Sequence, residues 1–192
     1  MKTSGLYGLV LAGGRSSRMG KDKGLIQYRN KPHREYLFDL LGKFCDNVFT
    51  SCRSEQEIGS SLNPIYDKFD FESPLNGIIS AMEQHPEKSW LTVAVDMPLV
   101  DEDVLQFLIT NRNNARVATC FYDSDGKLPE PLLTVWEPSA LKLLKDYTLN
   151  GGVSPRGFLV GHDCKKLTSP DSRIHININT PEDFAKVKNQ RG

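Results

Sequence analysis

The sequence predicts an α/β protein in which a mainly parallel β-sheet is covered by helices on both faces, giving three layers. One observation carries this prediction. Short apolar runs alternate along the chain with longer segments whose apolar residues recur at helical spacing. Strands that alternate with helices in this way pair in parallel and are buried on both faces of the sheet. The length of 192 residues suits one domain with a substantial core, so we expect residues 1–192 to fold together.

The first half of the chain begins this alternation. Residues 6–12 form an apolar run that ends at paired glycines, which predicts a buried strand. Residues 34–44 carry their large apolar side chains on one stripe and predict a helix. Residues 48–51 and 64–66 predict two short strands. Residues 75–84 again place apolar side chains at helical spacing, so a second helix is expected there.

The second half continues the alternation to the end of the chain. Residues 90–95 form a continuous apolar strand. Residues 101–111 begin with acidic residues, which the helix dipole favours, and predict a helix. The remaining strands are predicted at 116–122, 132–136 and 174–178, and further helices at 138–146 and 154–160. A last helix is expected to begin at Thr180, because a threonine cap, a proline and two acids open it.

The loop after the first predicted strand has the composition of a phosphate-binding loop. Gly13 and Gly14 allow main-chain N–H groups to approach an anion closely. The cations that follow would neutralise phosphate oxygens, and they are Arg15, Arg18, Lys21 and Lys23. The spacing is not that of a P-loop, because five residues rather than four separate Gly14 from Gly20, and the G-x-G-x-x-G fingerprint is also absent. The alternative is a surface turn with solvated charges.

The same loop carries a longer pattern, Leu-Ala-Gly-Gly-x-x-x-Arg-Met-Gly-x-Asp-Lys at residues 11–23. This pattern resembles the signature of the MobA-like nucleotidyltransferase family, in its molybdenum cofactor guanylyltransferase branch. Further motifs of that family follow in the same order, at residues 73–77, 96–98, 129–132 and 177–183. The resemblance therefore runs nearly from end to end.

This resemblance implies a Rossmann-like three-layer α/β/α nucleotidyltransferase fold, with residues 1–192 as a single nucleotidyltransferase domain. It also implies an enzyme, a magnesium-dependent nucleotidyltransferase that transfers GMP from GTP to the phosphate of molybdopterin, the molybdenum cofactor, and releases pyrophosphate. GTP and molybdopterin are then the expected small-molecule partners, and Mg²⁺ is the expected cofactor. The resemblance also allows proteins that deliver the labile cofactor, or molybdoenzyme chaperones that receive it, as partners.

The resemblance assigns nucleotide contacts to the glycine-rich loop. The backbone of Leu11, Ala12 and Gly13 would hold the base and ribose, and Lys23 would hold the phosphates. Arg18 joins Lys23 because of its charge and its position in the loop. Both cations are expected to stabilise the charge that develops on the phosphates, which makes them catalytic candidates.

Two aspartates at the ends of predicted strands are the acidic candidates, because open α/β sheets bind their ligands there. Asp96 follows the long apolar strand, where an aspartate is either a turn residue or a magnesium ligand. The family's aspartate in this motif binds magnesium, so the resemblance makes Asp96 the metal ligand and a catalytic residue. Asp67 follows the short strand 64–66, at the place of a nucleotide-contacting aspartate in the family. The alternative for Asp67 is a solvated loop.

Two asparagines near the end of the chain are candidates for binding the acceptor. Asn177 and Asn179 lie two apart on a predicted strand and therefore share a face, where two amides suit a polar heterocycle such as a pterin. The family places its acceptor near this motif. The alternative is that Asn179 belongs to the cap of the last helix. Residues 73–77 are expected on the guanine side of the site and residues 129–132 on the acceptor side.

Two sequence features concern the choice of nucleotide. Cytidylyl relatives tend to carry Leu-Ala-Ala-Gly where this chain has Gly13 and Gly14, which favours GTP over CTP. The chain departs from some guanylyltransferases after the second strand, where Thr50 or Ser51 replaces a nucleotide-contacting asparagine. A cytidylyltransferase acting on the same cofactor and a sugar-phosphate nucleotidyltransferase are the alternatives within the enzyme class. A non-catalytic nucleotide-binding regulator is the alternative outside it.

Composition excludes several other classes of function. Lys plus Arg and Asp plus Glu each number 24, so no net charge attracts nucleic acid or an acidic membrane. No apolar stretch of the sequence is long enough to span a bilayer. The cysteines are too scattered for a structural zinc site, and they are Cys45, Cys52, Cys120 and Cys164. With no signal peptide in the sequence, we expect these thiols to be reduced in the cytoplasm.

Overall fold

The structure is a computed structural model that describes residues 2–13, 23–27 and 31–175. Within these ranges, seven strands form one sheet. The strands are β1 (Leu6–Leu11), β2 (Asn47–Cys52), β3 (Pro64–Tyr66), β4 (Ser89–Ala94), β5 (Ala118–Tyr122), β6 (Pro129–Trp136) and β7 (Cys164–Leu167). The α-helices are α1 (His33–Gly42), α2 (Pro74–Gln84), α3 (Glu102–Thr110), α4 (Ala140–Leu149) and α5 (Pro155–Gly161). No helix in the described ranges has the length and apolarity that crossing a bilayer requires.

The strand order of the sheet is β3-β2-β1-β4-β6-β5-β7. Strand β1 pairs in parallel with both β2 and β4, and β2 pairs in parallel with β3. Strand β6 is antiparallel to its neighbours β4 and β5, and β5 is parallel to β7. The sheet is therefore mainly parallel, as the sequence predicts, and the reversal of β6 was not predicted. The carboxyl ends of β1, β2, β3 and β4 meet at one edge, where ligands bind in open sheets of this kind.

Helices α1 and α2 lie on opposite faces of β1. A Cβ atom on Gly8 would lie 3.0 Å from Leu41 Cβ, so α1 packs closely against one face of the strand. The neighbouring side chain, Tyr7, points to the other face, because side chains alternate along a strand. Its ring centroid lies 5.1 Å from that of His85, the residue that ends α2. Helices on both faces confirm the predicted three-layer arrangement.

The core lies on both sides of the central strands. Every residue of β4 is buried, and its Trp90, Leu91 and Val93 side chains have no exposed surface. Leu37 and Leu41 of α1 are likewise fully buried on one face. Such burial supplies about 1.5–3 kcal/mol per large apolar side chain. The edge of the sheet that carries the polar strand ends is thus supported by a rigid, close-packed centre.

The start of α2 is fixed by local sequence. Ser73 has extended backbone and its side chain accepts a hydrogen bond from Leu75 N at 3.1 Å. Pro74 occupies the first helical position, where its missing N–H costs no intrahelical bond. Leu75, Ile78 and Met82 are fully buried and hold the helix against the sheet. The first turn of α2 is therefore held in a fixed position at the edge where β1, β2 and β3 end.

The predicted elements up to residue 161 are all present, with bounds within three residues of the predicted ones. Near the end of the chain, one strand was missed and one expectation was wrong. Strand β7 was not predicted, because Cys-Lys-Lys-Leu has no apolar alternation and all its residues are half-buried. Ile174 and His175, expected in a strand, lie in a 3₁₀ helix (Ser172–His175). Asp171 begins that turn by accepting a hydrogen bond from Arg173 N at 2.9 Å. Residues 176–178 and the expected last helix lie outside the described residues.

Candidate nucleotide site

A cavity of about 690 Å³ opens at the edge of the sheet where β1, β2 and β3 end. Its polar and backbone lining includes Gly13 after β1, Ser51 near the end of β2, Asp67 after β3, and Gly77 in the first turns of α2. Leu11, the last residue of β1, supplies apolar surface. Three successive strand ends and one helix start thus converge on a single concave site, as expected for a ligand pocket of an open α/β sheet.

The Asp67 carboxyl lies at the centre of this convergence. Its Oδ1 atom lies 3.3 Å from Ser51 Oγ, which donates a hydrogen bond to it. Its main-chain N–H donates to Cys52 O at 2.9 Å, which fixes the residue directly after β3. Burial raises the pKa of the Asp67 carboxyl to about 6, against the opposing effects of the Ser51 hydrogen bond and the Arg53 charge. A carboxyl that titrates near neutral pH at a strand end is typical of a functional site.

Two glycines allow the backbone of the β1 loop and of α2 to lie close to the Asp67 carboxyl. A Cβ atom on Gly77 would lie 1.9 Å from Ser51 Oγ and 3.3 Å from Asp67 Oδ1. A Cβ atom on Gly13 would lie 3.3 Å from Asp67 Oδ2. The backbone of the β1 loop and the backbone of α2 therefore flank the same carboxyl group. The structure brings together Gly13 and Asp67, which the sequence predicts as nucleotide contacts.

The predicted contacts Leu11, Ala12 and Gly13 have different positions. Leu11 and Gly13 line the cavity, whereas Ala12 lies beside it and is 2% exposed. The N–H of Ala12 donates to Ser51 O at 3.0 Å, and its carbonyl accepts from Gln56 Nε2 at 3.0 Å. Ala12 thereby ties the end of β1 to the segment after β2. Its backbone hydrogen bonds hold the cavity wall in place.

The structure also decides between Thr50 and Ser51. Thr50 is fully buried and does not line the cavity, whereas Ser51 does and hydrogen-bonds to Asp67. Of the two residues, Ser51 is therefore the one whose side chain is placed to contact a ligand in the cavity. A hydroxyl at this place is shorter than an amide and offers fewer donors.

A second group of charged residues lies after β4 and on β6. Asp96 is half-buried two residues beyond the end of β4. Glu130 on β6 is 5% exposed, accepts a hydrogen bond from Leu132 N at 2.9 Å, and lies 3.5 Å from the Arg156 guanidinium. Burial raises the pKa of Glu130, and the negative charge of Asp96 contributes in the same direction. The Asp96 charge therefore acts on the Glu130 carboxyl.

The remaining predicted site residues fall in or beside the undescribed parts of the chain. Arg18, Asn177 and Asn179 lie outside the described residues. Lys23 begins a short 3₁₀ helix, Lys23–Leu25. Among the residues that the structure describes, no group of three or more His, Cys, Asp or Glu side chains is arranged to hold a metal ion.

Residues 8–164 match the family model of the MobA-like NTP transferase domain. The chain belongs to the MobA-like NTP transferase family. A molybdenum cofactor biosynthesis bifunctional protein of Synechocystis is 39% identical over 95% of this chain and 53% of its own length, so this chain spans about half of that relative. Molybdenum cofactor guanylyltransferases of Vibrio vulnificus and Pseudomonas paraeruginosa are 30% and 33% identical, over 93% of this chain and 92% of their own lengths.

Solved structures share the fold of this MobA-like transferase. Molybdopterin-guanine dinucleotide biosynthesis protein A from Archaeoglobus fulgidus superposes with a TM-score of 0.77, at 22% identity, over 96% of this chain and 98% of that one. A 4-diphosphocytidyl-2C-methyl-D-erythritol synthase superposes with a TM-score of 0.74 at 10% identity, over 99% of this chain and all of that one. At such identities the likeness shows the fold, and the predicted nucleotidyltransferase fold is confirmed.

Sequence reasoning missed several residues of the site in this MobA-like transferase. The motif at residues 129–132 indicated the acceptor side, but the pairing of buried Glu130 with the more exposed Arg156 depends on α5, which is distant in sequence. A glutamate between two prolines in an otherwise apolar strand was the available signal. Asn76 lay within the motif at residues 73–77, yet its contacts with the segment after Asp67 are tertiary and leave no trace in the sequence pattern.

Proposed function

We propose that this protein transfers GMP from GTP to the phosphate of molybdopterin, the molybdenum cofactor, and releases pyrophosphate. The observation that carries the proposal is the cavity at the carboxyl edge of the sheet, in which Gly13, Ser51 and Gly77 surround the Asp67 carboxyl. The choice of reaction is supported by relatives named molybdenum cofactor guanylyltransferase, which are 30% and 33% identical to this chain.

The cavity suits the nucleoside part of GTP. Its volume of about 690 Å³ is typical of a small-molecule pocket. Leu11, Phe69 and Phe71 offer apolar surface to a flat base. The Asp67 carboxylate accepts hydrogen bonds from the N–H groups of a guanine or from the hydroxyls of a ribose. The carboxylate and the apolar side chains together match a molecule with one polar edge and two apolar faces.

Lys23 and Arg18 are proposed to neutralise the phosphates. An oxygen of the acceptor phosphate attacks the α-phosphorus of GTP in line, a new phosphorus–oxygen bond forms, and pyrophosphate leaves with the electron pair of the broken bond. The attacking phosphate is already ionised at pH 7, so no general base is required. Positioning of the two phosphates and stabilisation of their charge then supply most of the rate.

Mg²⁺ is the proposed cofactor, and the Asp96 carboxylate is the kind of ligand that it prefers. Magnesium prefers hard oxygen ligands and is usually bound by one or two carboxylates together with phosphate oxygens and waters. Asp96 offers one carboxylate two residues beyond the end of β4, and its charge acts on the Glu130 carboxyl of β6. Bound there, the ion would supply positive charge to the phosphate oxygens of the nucleotide.

The acceptor side is proposed to lie around β6 and the residues that follow β7. Glu130 and Arg156 form a half-buried pair there, and a guanidinium suits the phosphate of the acceptor. Asn177 and Asn179 remain candidates for contacts with the pterin.

We further propose that residues 1–192 form one nucleotidyltransferase domain, which is supported by the single sheet. We also propose that this domain works in the cytoplasm, where its cysteine thiols stay reduced.

Release of pyrophosphate tests this function directly. Purified protein is incubated with magnesium, molybdenum cofactor and each of the four nucleoside triphosphates in turn. Of the four nucleotides, we expect only GTP to give release of pyrophosphate. No release is expected when the cofactor is omitted or magnesium is chelated. Release with CTP instead would assign the chain to cytidylyl transfer. Release with a sugar phosphate as acceptor would make it a sugar-phosphate nucleotidyltransferase, and GTP binding without any release would make it a regulator.

A further inference from the structure

Asn76, in the first turn of α2, uses its whole side-chain amide to hold one segment of chain. Its Oδ1 atom accepts hydrogen bonds from Lys68 N at 3.1 Å and from Phe69 N at 3.2 Å. Its Nδ2 atom donates to Phe69 O at 2.6 Å and to Phe71 O at 3.1 Å. The side chain is 2% exposed, so these bonds form away from water. Segment 68–71 is thereby fastened to α2 at four points.

Ser80, one turn further along α2, completes this arrangement. Its hydroxyl accepts a second hydrogen bond from Lys68 N at 3.1 Å and donates to Asn76 Oδ1 at 3.3 Å. Ser80 is fully buried. Buried polar groups that satisfy one another in this way define a single geometry, because any other placement of the segment leaves N–H and C=O groups without partners.

The segment held by Asn76 is a wall of the nucleotide cavity. It begins directly after Asp67, and its Phe69 and Phe71 line the cavity with rings stacked 5.8 Å apart, centroid to centroid, at 23°. On the helix, the residue next to Asn76 is Gly77, which packs against Ser51 and Asp67. The first turns of α2 therefore contact both Asp67 and the segment that carries Phe69 and Phe71.

The helix itself does not need an asparagine at this position. Ser73 already caps the first turn through Leu75 N. Asparagine is a poor residue in a helix interior because its side chain competes for backbone groups. In this protein the Asn76 amide bonds to the backbone of segment 68–71 and not to the backbone of its own helix. These hydrogen bonds offset the low helix propensity of asparagine.

We propose that Asn76 is a positioning residue for nucleotide binding, which holds Asp67 and the aromatic wall of Phe69 and Phe71 in the geometry that receives the base and ribose. This inference rests on the proposed GTP-dependent function and deepens it. A wall that is fixed before binding removes the entropy cost of ordering it when the nucleotide arrives. Asn76 also borders the cavity, but it is 2% exposed and its amide is bonded to segment 68–71, so its loss weakens nucleotide binding through that segment.

The test compares Asn76→Ala with the wild-type protein and with Asn111→Ala. Asn111 ends α3 and donates one hydrogen bond to Phe107 O at 2.9 Å, away from the cavity, so it is a matched control. Calorimetric titration with GTP is expected to give a Kd raised about tenfold or more for Asn76→Ala, the scale of one or two lost buried hydrogen bonds, and unchanged for Asn111→Ala. In turnover, the KM for GTP rises while the KM for the acceptor does not.

Two further measurements keep the test decisive if Asn76→Ala does not fold. Ser80→Ala removes one acceptor from Lys68 N and is expected to raise the Kd by roughly threefold. Asn76→Asp keeps the acceptor oxygen but loses donation to Phe69 O and Phe71 O, so its affinity is low at pH 8. Acidification protonates the new carboxyl and restores one of the two donated hydrogen bonds, and the Kd of Asn76→Asp improves relative to Ser80→Ala at the same pH.

The outcomes separate the inference from the function on which it rests. A wild-type protein that binds no nucleoside triphosphate overturns the proposed function, and the role of Asn76 with it. A wild-type protein that binds GTP, together with folded Asn76 and Ser80 variants that bind it equally well, overturns the role of Asn76 alone. Equal losses in the KM for GTP and for the acceptor also overturn it, because they indicate a general structural role.

Discussion

Ser51 Oγ lies 3.3 Å from Asp67 Oδ1, and this contact joins the ends of two parallel strands into one acidic site. Strand β2 ends at Cys52 and β3 at Tyr66, and the ladder between them pairs Cys52 with Tyr66. Asp67 is the next residue, so its carboxyl reaches back to the hydroxyl one position before the end of β2. The carboxyl ends of parallel strands thus place a donor and an acceptor side by side at the cavity.

Asp67→Asn is expected to make the protein more stable at pH 8 while weakening GTP binding. Burial raises the pKa of Asp67 to about 6 in the folded protein, above its ordinary value. The folded state therefore binds the proton more tightly than the unfolded state, so wild-type stability falls as pH rises towards 6 and stays lower above it. Because solvent screens part of this effect, the gain from the amide is about 1 kcal/mol.

Denaturant unfolding between pH 4 and pH 8 measures this effect. The difference in unfolding free energy between Asp67→Asn and the wild-type protein should be present at pH 8 and absent at pH 4. Calorimetry with GTP at pH 8 should show weaker binding, because the amide has lost the negative charge and one acceptor. Equal stability of the two proteins at both pH values would contradict the burial of this carboxyl.

Gly77→Ala is expected to disrupt the site through a steric clash. The new Cβ would lie 1.9 Å from Ser51 Oγ and 2.8 Å from Ser51 Cβ, so strand and helix must separate. Overpacking of this kind costs about 1–3 kcal/mol of stability and should move the helix away from Asp67. Thermal unfolding and GTP titration measure both effects.

Two matched variants identify the clash as the cause. Gly42→Ala, at the end of α1, meets nothing within 4 Å and should leave stability and binding unchanged or slightly improve stability. The double variant Gly77→Ala with Ser51→Gly removes the atoms that collide and should regain stability lost by Gly77→Ala alone. No recovery in the double variant would argue against the close approach of α2 to β2.

The sequence predicts the strand ends of the site better than the contacts across it. Gly13 could be found because paired glycines end a clear apolar strand, whereas Asp67 was found through the family resemblance, since the residues after 64–66 alone also fit a solvated loop. The sequence left Thr50 and Ser51 as alternatives for the polar residue at the end of β2. The pairing of β2 with its neighbours decides which of the two faces the cavity. Asn76 was not identified, because its partners at residues 68–71 are set by how α2 packs.

In the fold too, elements with a clear local pattern were predictable, and elements that depend on tertiary contacts were not. The fully buried β4 was predictable from its continuous apolar run. The edge strand β7 was not, because its Cys-Lys-Lys-Leu sequence is half-buried and pairs with β5 alone. Ile174 has the spacing of a strand residue, yet it is fully buried in a 3₁₀ turn that Asp171 begins. Apolar spacing in a short segment does not distinguish these two conformations.

Asp96→Ala is expected to lower the rate of pyrophosphate release at least ~100-fold while the protein remains folded, because it removes the proposed magnesium ligand. Asp103→Ala, on the exposed side of the first turn of α3, is the control and should retain full activity. Activity at several magnesium concentrations, with thermal unfolding of each variant, measures the effect. Wild-type activity in folded Asp96→Ala would refute the metal role of Asp96.

Arg112→Ala is expected to destabilise the protein far from the site. Its guanidinium binds the Glu137 carboxylate through two hydrogen bonds of 2.6 Å, and the Glu137 side chain is 2% exposed. Removing the arginine leaves a buried carboxylate without its cation, which costs about 3–5 kcal/mol. Ser89 Oγ also donates to Glu137 at 2.8 Å, but a hydroxyl cannot neutralise the charge.

Denaturant unfolding distinguishes this buried pair from an exposed one. Lys145→Ala, which breaks the more exposed ion pair with Glu83, should change stability little. The double variant Arg112→Met with Glu137→Leu replaces the buried pair by apolar contacts and should regain most of the stability lost by Arg112→Ala. GTP affinity of the folded double variant should equal that of the wild-type protein, because the pair stabilises the sheet and does not contact the cavity.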